Sequence, residues 1–159
     1  MADGADPHEH THQKSNEGGH VMLSYKRYPD LDFTCFVSEG ETPIENWLQT
    51  VRNYGTEGMT TRELYDLRQQ TNIFANDEVG MILQQTMRDQ GLRPPNGKTA
   101  VVVDKAVKYG LTRMYETQAE ISGVSSNTQV YYKLDDATEW LGEDVDDCVS
   151  DLCAGPTQE

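Results

Sequence analysis

The hydrophobic and polar positions along this chain change period several times, and each change predicts an element. Ala100, Val101, Val102 and Val103 form an unbroken apolar run rich in β-branched residues, the pattern of a strand covered on both faces. Asp104 follows at an N-cap position, where its side-chain oxygen can accept backbone N–H groups of the next turn. Val107, Gly110, Leu111, Met114 and Ile121 then recur mostly at steps of three and four, one face of a helix, and Gly123 stands where that helix stops. A buried strand leading into an amphipathic helix is half of a βαβ unit. The fold class is therefore α/β.

The other periods fit around that unit. Met22 to Tyr28 alternates loosely, and Asp32 to Ser38 sets Phe33, Cys35 and Val37 against Thr34, Phe36 and Ser38. With Pro29 and Asp30 as turn residues between them, the two runs predict an antiparallel hairpin. Thr42-Pro43-Ile44-Glu45 predicts a helix start, with Thr42 as cap, Pro43 at the first helical position and Glu45 completing a capping box. Ile44, Trp47, Leu48, Val51 and Tyr54 form the stripe of that helix, and Gly55 is its predicted end. Thr61 to Leu67 predicts a strand returning parallel into the sheet. A second helix begins near Asn76 and Asp77, buries Val79, Ile82, Leu83 and Met87, and closes at Gly91. Arg93 to Gly97 is a turn-rich connector. Thr128 to Leu134 predicts the last strand, with Val130, Tyr132 and Leu134 facing one way. Asp135 or Asp136 then caps a short helix carrying Ala137, Trp140 and Leu141, stopped by Gly142. The sum is a mixed sheet of about five strands, an N-terminal hairpin followed by βα crossovers, and about four helices.

Two flanks lack such periods. Residues 1–20 are polar and read as a disordered arm, 21–142 as the folded domain, and 143–159 as an acidic disordered tail. In the arm, His8, His10 and His12 alternate, so in an extended chain they point one way and could share a divalent metal. The simpler account is three solvated histidines. Cys148 and Cys153 stand five apart, which is not a zinc-site spacing by itself.

Charge narrows the partners. The 159 residues hold 27 Asp and Glu against 13 Lys and Arg, a net charge of −14. Counterion release on nucleic acid needs clustered cations, and the same negative charge opposes an anionic membrane surface. Neither class of partner is expected. No apolar run approaches the roughly 20 residues that span a bilayer, and the N-terminus lacks the basic and apolar regions of a secretory signal. Three cysteines cannot all pair within one chain, which points to a reducing, cytoplasmic location.

The order β-β-α-β-α-β-α-β-α resembles the STAS domain, and more closely the SpoIIAA-like (STAS/SEC14-like) group of small bacterial proteins. The resemblance rests on Leu64-Tyr65-Asp66-Leu67-Arg68, on Lys98 to Val103, on Tyr109 to Tyr115 and on Val130 to Leu141, in order, and covers about residues 21–142. It implies a regulatory or binding domain rather than an enzyme, without cofactor, acting through a protein partner as a monomer or homodimer. In the family's anti-sigma-factor antagonists, a serine at the start of the second helix is phosphorylated, which switches partner binding. Here Val79-Gly80 matches the family's hydrophobic-glycine pair, so Asn76 or Asp77 takes the serine's place. Asp77 is either a permanent charge in the position of the phosphate or an ordinary acidic residue in a first helical turn.

Catalytic chemistry has few candidates. All four histidines lie in the first twenty residues, so the predicted domain has no positioned imidazole base, and no Gly-rich phosphate loop is present. No catalytic residue is assigned. One binding constellation remains: Arg68, Asp77, Tyr109 and Arg113, at or just after the carboxyl ends of the central strands, where open α/β sheets place their ligand crevices. Tyr109 and Arg113, four apart, share a helical face. Two arginines and a tyrosine suit a carboxylate or phosphate, so a small anionic or apolar metabolite is the alternative to a protein partner. The competing account is plain ion pairing, of Asp66 with Arg68 or of Arg113 with Glu116.

Overall fold

A computed structural model describes residues 10–15, 21–72, 74, 78, 81–82, 85, 96–106, 108–110, 112–113, 117 and 127–149. These residues form an α/β fold around a six-stranded mixed sheet. Its strands are β1 (His10–Ser15), β2 (Val21–Tyr28), β3 (Phe33–Gly40), β4 (Arg62–Gln70), β5 (Lys98–Val102) and β6 (Asn127–Tyr131), lying side by side in chain order. β1, β2 and β3 run antiparallel, and β3 to β6 are parallel. Two helices are complete among the described residues, α1 (Ile44–Glu57) and α2 (Leu134–Leu141). Helical backbone also occurs at 78, 81, 82 and 85, and at 106, 108–110, 112, 113 and 117.

The alternation in β3 distributes the core to two faces. Phe33 and Cys35 join Leu64, Ala100 and Val102 beneath α2. Phe36 turns the other way, to Leu23, Tyr25, Trp47 and Tyr54 beneath α1. Val101, Val103 and Val130 continue that second face toward Tyr109. The predicted double-sided burial of the Ala100–Val103 run is present, since all four residues are buried. Rings interlock on the α1 face: Phe36 stacks on Tyr65 at 4.2 Å and meets Tyr54 edge-on at 5.1 Å, a geometry that adds to area burial.

Several boundaries differ from the sequence pattern, each for a local reason. His10 to Ser15, placed by sequence in a disordered arm, pairs with β2 from His10↔Arg27 to Ser15↔Val21. A polar strand needs no apolar period when it pairs at a sheet edge, because the ladder satisfies its backbone. The acidic tail also begins inside the fold. Glu143–Val145 makes a 3-10 turn, 146–149 is helical, and Val145 and Val149 lie in the core with Ala137 and Leu141. Ala137, Leu141, Val145 and Val149 recur every four residues, so the α2 stripe continues past Gly142 although charges dominate the intervening positions.

Helix ends move as well. α1 is capped by Pro43 rather than Thr42, and no side chain caps it; the Thr42 hydroxyl is engaged with Ser38 and the Glu39 carbonyl instead. α1 runs through Gly55 to Glu57, and Gly58 at φ 116° ends it by donating to the Tyr54 carbonyl at 3.2 Å. β4 extends to Gln70. β6 stops at Tyr131, so Tyr132 is half-exposed and Leu134 opens α2. Lys133 is the N-cap of α2, with Asp135 and Asp136 in its first turn, and Gly142 ends it as expected. Gly110, placed by its spacing on a buried stripe, is exposed.

Candidate interaction site

The parallel strands have two ends, and both collect polar residues. At the amino ends, Thr34, Glu63, Thr99 and Thr128 occupy one cross-strand row on β3, β4, β5 and β6, and all four are buried. The Glu63 carboxylate accepts from the Tyr54 hydroxyl at 2.6 Å and from the Thr99 hydroxyl at 3.0 Å. Thr60 donates its backbone N–H to the Tyr54 oxygen at 2.9 Å, and its hydroxyl meets Thr34 at 2.8 Å. Burial, then the charge of Glu63, pushes the Tyr54 phenol well above its ordinary range. Nearby, Tyr25 donates to Glu57 at 2.6 Å, and burial together with that bond raises its phenol as well. This is a closed network: its donors and acceptors face one another, not an opening.

The amino ends also fasten α2 and the chain beyond it. Arg62 makes a two-point bond to Asp144, at 2.8 and 3.0 Å, and donates to the carbonyls of Leu141 and Leu31. That bond raises the Arg62 guanidinium and lowers the Asp144 carboxyl from their ordinary values. Lys98 donates to the Trp140 carbonyl at 3.1 Å and lies 5.0 Å over the Trp140 ring. Two cations therefore meet the carboxyl terminus of α2, where the helix dipole favours positive charge.

The carboxyl ends differ. Arg68 forms a bidentate pair with the buried carboxylate of Asp66, with both contacts at 2.8 Å, and its backbone N–H adds a third bond at 3.1 Å. The buried Lys108 ammonium donates to the Leu67 carbonyl and the Asp104 carboxylate, each at 2.9 Å, and more weakly to the Arg68 carbonyl at 3.4 Å. Lys108 thus pins the helical stretch after β5 onto the end of β4. One residue on, Tyr109 packs on the Val101, Val103 and Val130 cluster and stacks on Tyr132, with centroids 5.0 Å apart and planes 7° from parallel. Tyr132 is 50% exposed.

Of the residues singled out by sequence, Arg68 and Tyr109 stand at this end, and Lys108 joins them by bonding the Arg68 carbonyl from the position before Tyr109. Arg113 is exposed on the same helical stretch. Asp77 and the Asn76 alternative lie outside the described residues. His8 does too. His10 and His12 sit in β1 opposite Arg27 and Tyr25, and among the described residues no group of three or more His, Cys, Asp or Glu is placed to hold a metal ion. No helix among them is long and apolar enough to cross a membrane.

Two further residues take part at this end, Lys108 and Tyr132. Lys108 was legible as the partner of Asp104, since the two are four apart on one helical face. Strand alternation set Tyr132 on one face with Val130 and Leu134; it stacks on Tyr109 beside Val130, but β6 ends at Tyr131 and leaves the ring half-exposed. Comparison of the chain with protein-family models, with curated proteins and with solved structures finds no match.

Proposed function

We propose that this chain is a regulatory protein-interaction domain of the STAS-like, SpoIIAA-like kind, with no catalytic chemistry of its own, and that it meets its partner at the carboxyl ends of β5 and β6. The observation that carries this reading is the Tyr109–Tyr132 stack, whose outer ring is half-exposed at the end of the last strand. A stiff aromatic surface over an apolar base is the usual anchor of a protein contact, because it buries large area with little loss of side-chain freedom. The charged groups beside it support the same view. Arg68 is clasped by Asp66, and Lys108 by Asp104 and two carbonyls, so their charge is largely answered within the chain. The antiparallel pair β2–β3 followed by the parallel strands β4, β5 and β6 supports the same reading.

The alternative, a crevice for a small anionic metabolite, draws on Arg68, Tyr109 and Arg113. It requires Arg68 to leave a buried carboxylate, which costs about 3–5 kcal/mol when such a pair is fully buried and less here, where the guanidinium is a third exposed. Native mass spectrometry of untagged protein from its own host separates the two. The expected result is a co-purifying protein chain that is lost from the Tyr132→Ala variant. A retained small-molecule mass with no companion chain overturns the reading.

A further inference from the structure

The two edges of the sheet are built differently. β1 carries Lys14 and a register shift between Gln13 and Ser15, two features that discourage a foreign strand from pairing. β6 has neither. Its sequence, Asn127-Thr128-Gln129-Val130-Tyr131, contains no charge and no proline, and its register with β5 is continuous. Tyr131 turns its carbonyl toward β5, where it accepts from the Val103 N–H at 2.9 Å. By strand alternation, Val130 turns its N–H and C=O to the far side, and β6 is the last strand there among the described residues.

The surroundings of β6 have a definite chemistry on each face. On the α2 side, Asp135, Asp136 and Glu139 are exposed, against Lys133 as the one cation between 127 and 142. Asp136 and Glu139 act on Tyr131, whose phenol is raised by burial first and then by these two charges. On the opposite side stand Tyr109 and Tyr132, on an apolar base. A strand laid beside β6 would therefore meet carboxylates at one set of alternate positions and aromatic rings at the other.

We propose that β6 is a docking edge, at which an extended cationic segment of a partner protein adds as a further strand, with basic side chains toward Asp135, Asp136 and Glu139 and apolar ones against Tyr132. Backbone pairing supplies affinity in this mode, and the alternating side chains supply choice of partner. The net charge of −14 favours a basic partner throughout its approach. It disfavours a second copy of this chain, because pairing β6 with β6 would bring two acidic flanks together. The inference rests on the interaction reading above and names its mode and partner class.

The test uses the full chain, isotope-labelled, and a capped synthetic peptide alternating lysine with valine and carrying one tyrosine. Addition of the peptide is expected to shift the amide signals of Asn127 to Tyr132 above all others. Methylating alternate peptide nitrogens removes the strand bonds, and loss of two such bonds should weaken binding by about tenfold or more. Gln129→Lys, at an exposed position, guards the edge with a cation and should weaken binding of the lysine peptide without unfolding the domain. Equal binding of the methylated peptide, or shifts centred away from β6, overturns the docking edge. So does strong protection of the Val130 amide from hydrogen exchange before peptide is added, which would mean that the chain already covers this edge. Concentration-dependent dimerisation with the same β6 shifts overturns it in favour of a second copy. These results leave the interaction reading intact if a partner chain still co-purifies from the host, whereas absence of any partner removes that reading whatever the peptide does.

Discussion

The amino and carboxyl ends of the parallel strands both hold ionisable side chains, yet they are organised in opposite ways. At the amino ends Glu63, Tyr54, Thr60, Thr34 and Thr99 face inward and complete one another's hydrogen bonds. At the carboxyl ends Asp66 and Asp104 hold the cations Arg68 and Lys108 at short range, and an aromatic stack reaches the surface beside them. Burial of a carboxylate and a raised phenol are often signs of a functional site. Here the more perturbed group, Tyr54, belongs to the closed end. Perturbation marks a site only where the perturbed group also has somewhere to act.

That contrast can be broken by mutation, and the largest effect belongs to the closed end. Glu63→Ala removes the acceptor shared by Tyr54 and Thr99 and leaves two buried hydroxyls without it, so urea unfolding should show a loss of about 3–5 kcal/mol. A loss below about 1 kcal/mol would mean that the network is loose and open to solvent.

Tyr54→Phe comes next. It removes the donor to Glu63 and the acceptor for the Thr60 N–H, and should cost about 1–3 kcal/mol. The same residue gives the closed end a pH signature. Its phenol is raised in the folded state, so its stabilising contribution is complete below the unfolded value of about 10. As pH climbs above that value the unfolded phenol ionises while the folded one resists, and stability falls. Thermal melts between pH 9 and 11, roughly the window set by that value, should show a steeper alkaline loss for the wild type than for Tyr54→Phe.

Arg68→Ala tests the carboxyl end as structure. It strips the guanidinium from the buried Asp66 carboxylate, which keeps the Arg68 backbone N–H. With the arginine side chain a third exposed, about 1–2 kcal/mol is the expected cost in chemical denaturation. Tyr132→Ala should be smallest in stability, within about 0.5 kcal/mol, because the ring is half in water already. Its effect should appear in partner capture instead. If Tyr132→Ala unfolded the domain as readily as Glu63→Ala, the two ends would be alike and the aromatic stack would be core.

A weaker contact sharpens the picture of the segment after α2. Asp144 is held below its ordinary carboxyl range by its bond to Arg62. Its contribution is therefore present above the unfolded value of about 3.9 and fades as pH falls through the lower folded value. Asp144 is largely exposed, so the effect is slight. Asp144→Asn should reduce the acid sensitivity of hydrogen exchange at Val145 and leave melting at neutral pH nearly unchanged.

Much of this fold was legible before any coordinates. The Ala100–Val103 run and the stripe of Ile44, Trp47 and Tyr54 each predicted an element and its burial, and the alternation from Phe33 to Ser38 predicted a strand whose two faces both prove to be buried. Gly142 likewise marked a true helix end. Side-chain period is a local property, set by how successive Cβ atoms point along a helix or strand. It needs no knowledge of the neighbour.

Local pattern was enough for the α/β class, the hairpin, the parallel return and the location of Arg68 and Tyr109 near the strands' carboxyl ends. Long-range packing, by contrast, pairs polar His10–Ser15 as an edge strand, closes the core with Val145 and Val149, and leaves Tyr132 half-exposed. It alone aligned Thr34, Glu63, Thr99 and Thr128 in one row, since that row exists in the register between strands far apart in the chain. The reason is common to all of these. A backbone ladder accepts any side chain that its faces tolerate, and a carboxylate or phenol is costly or harmless in the interior according to partners that only the packing of distant segments brings within reach.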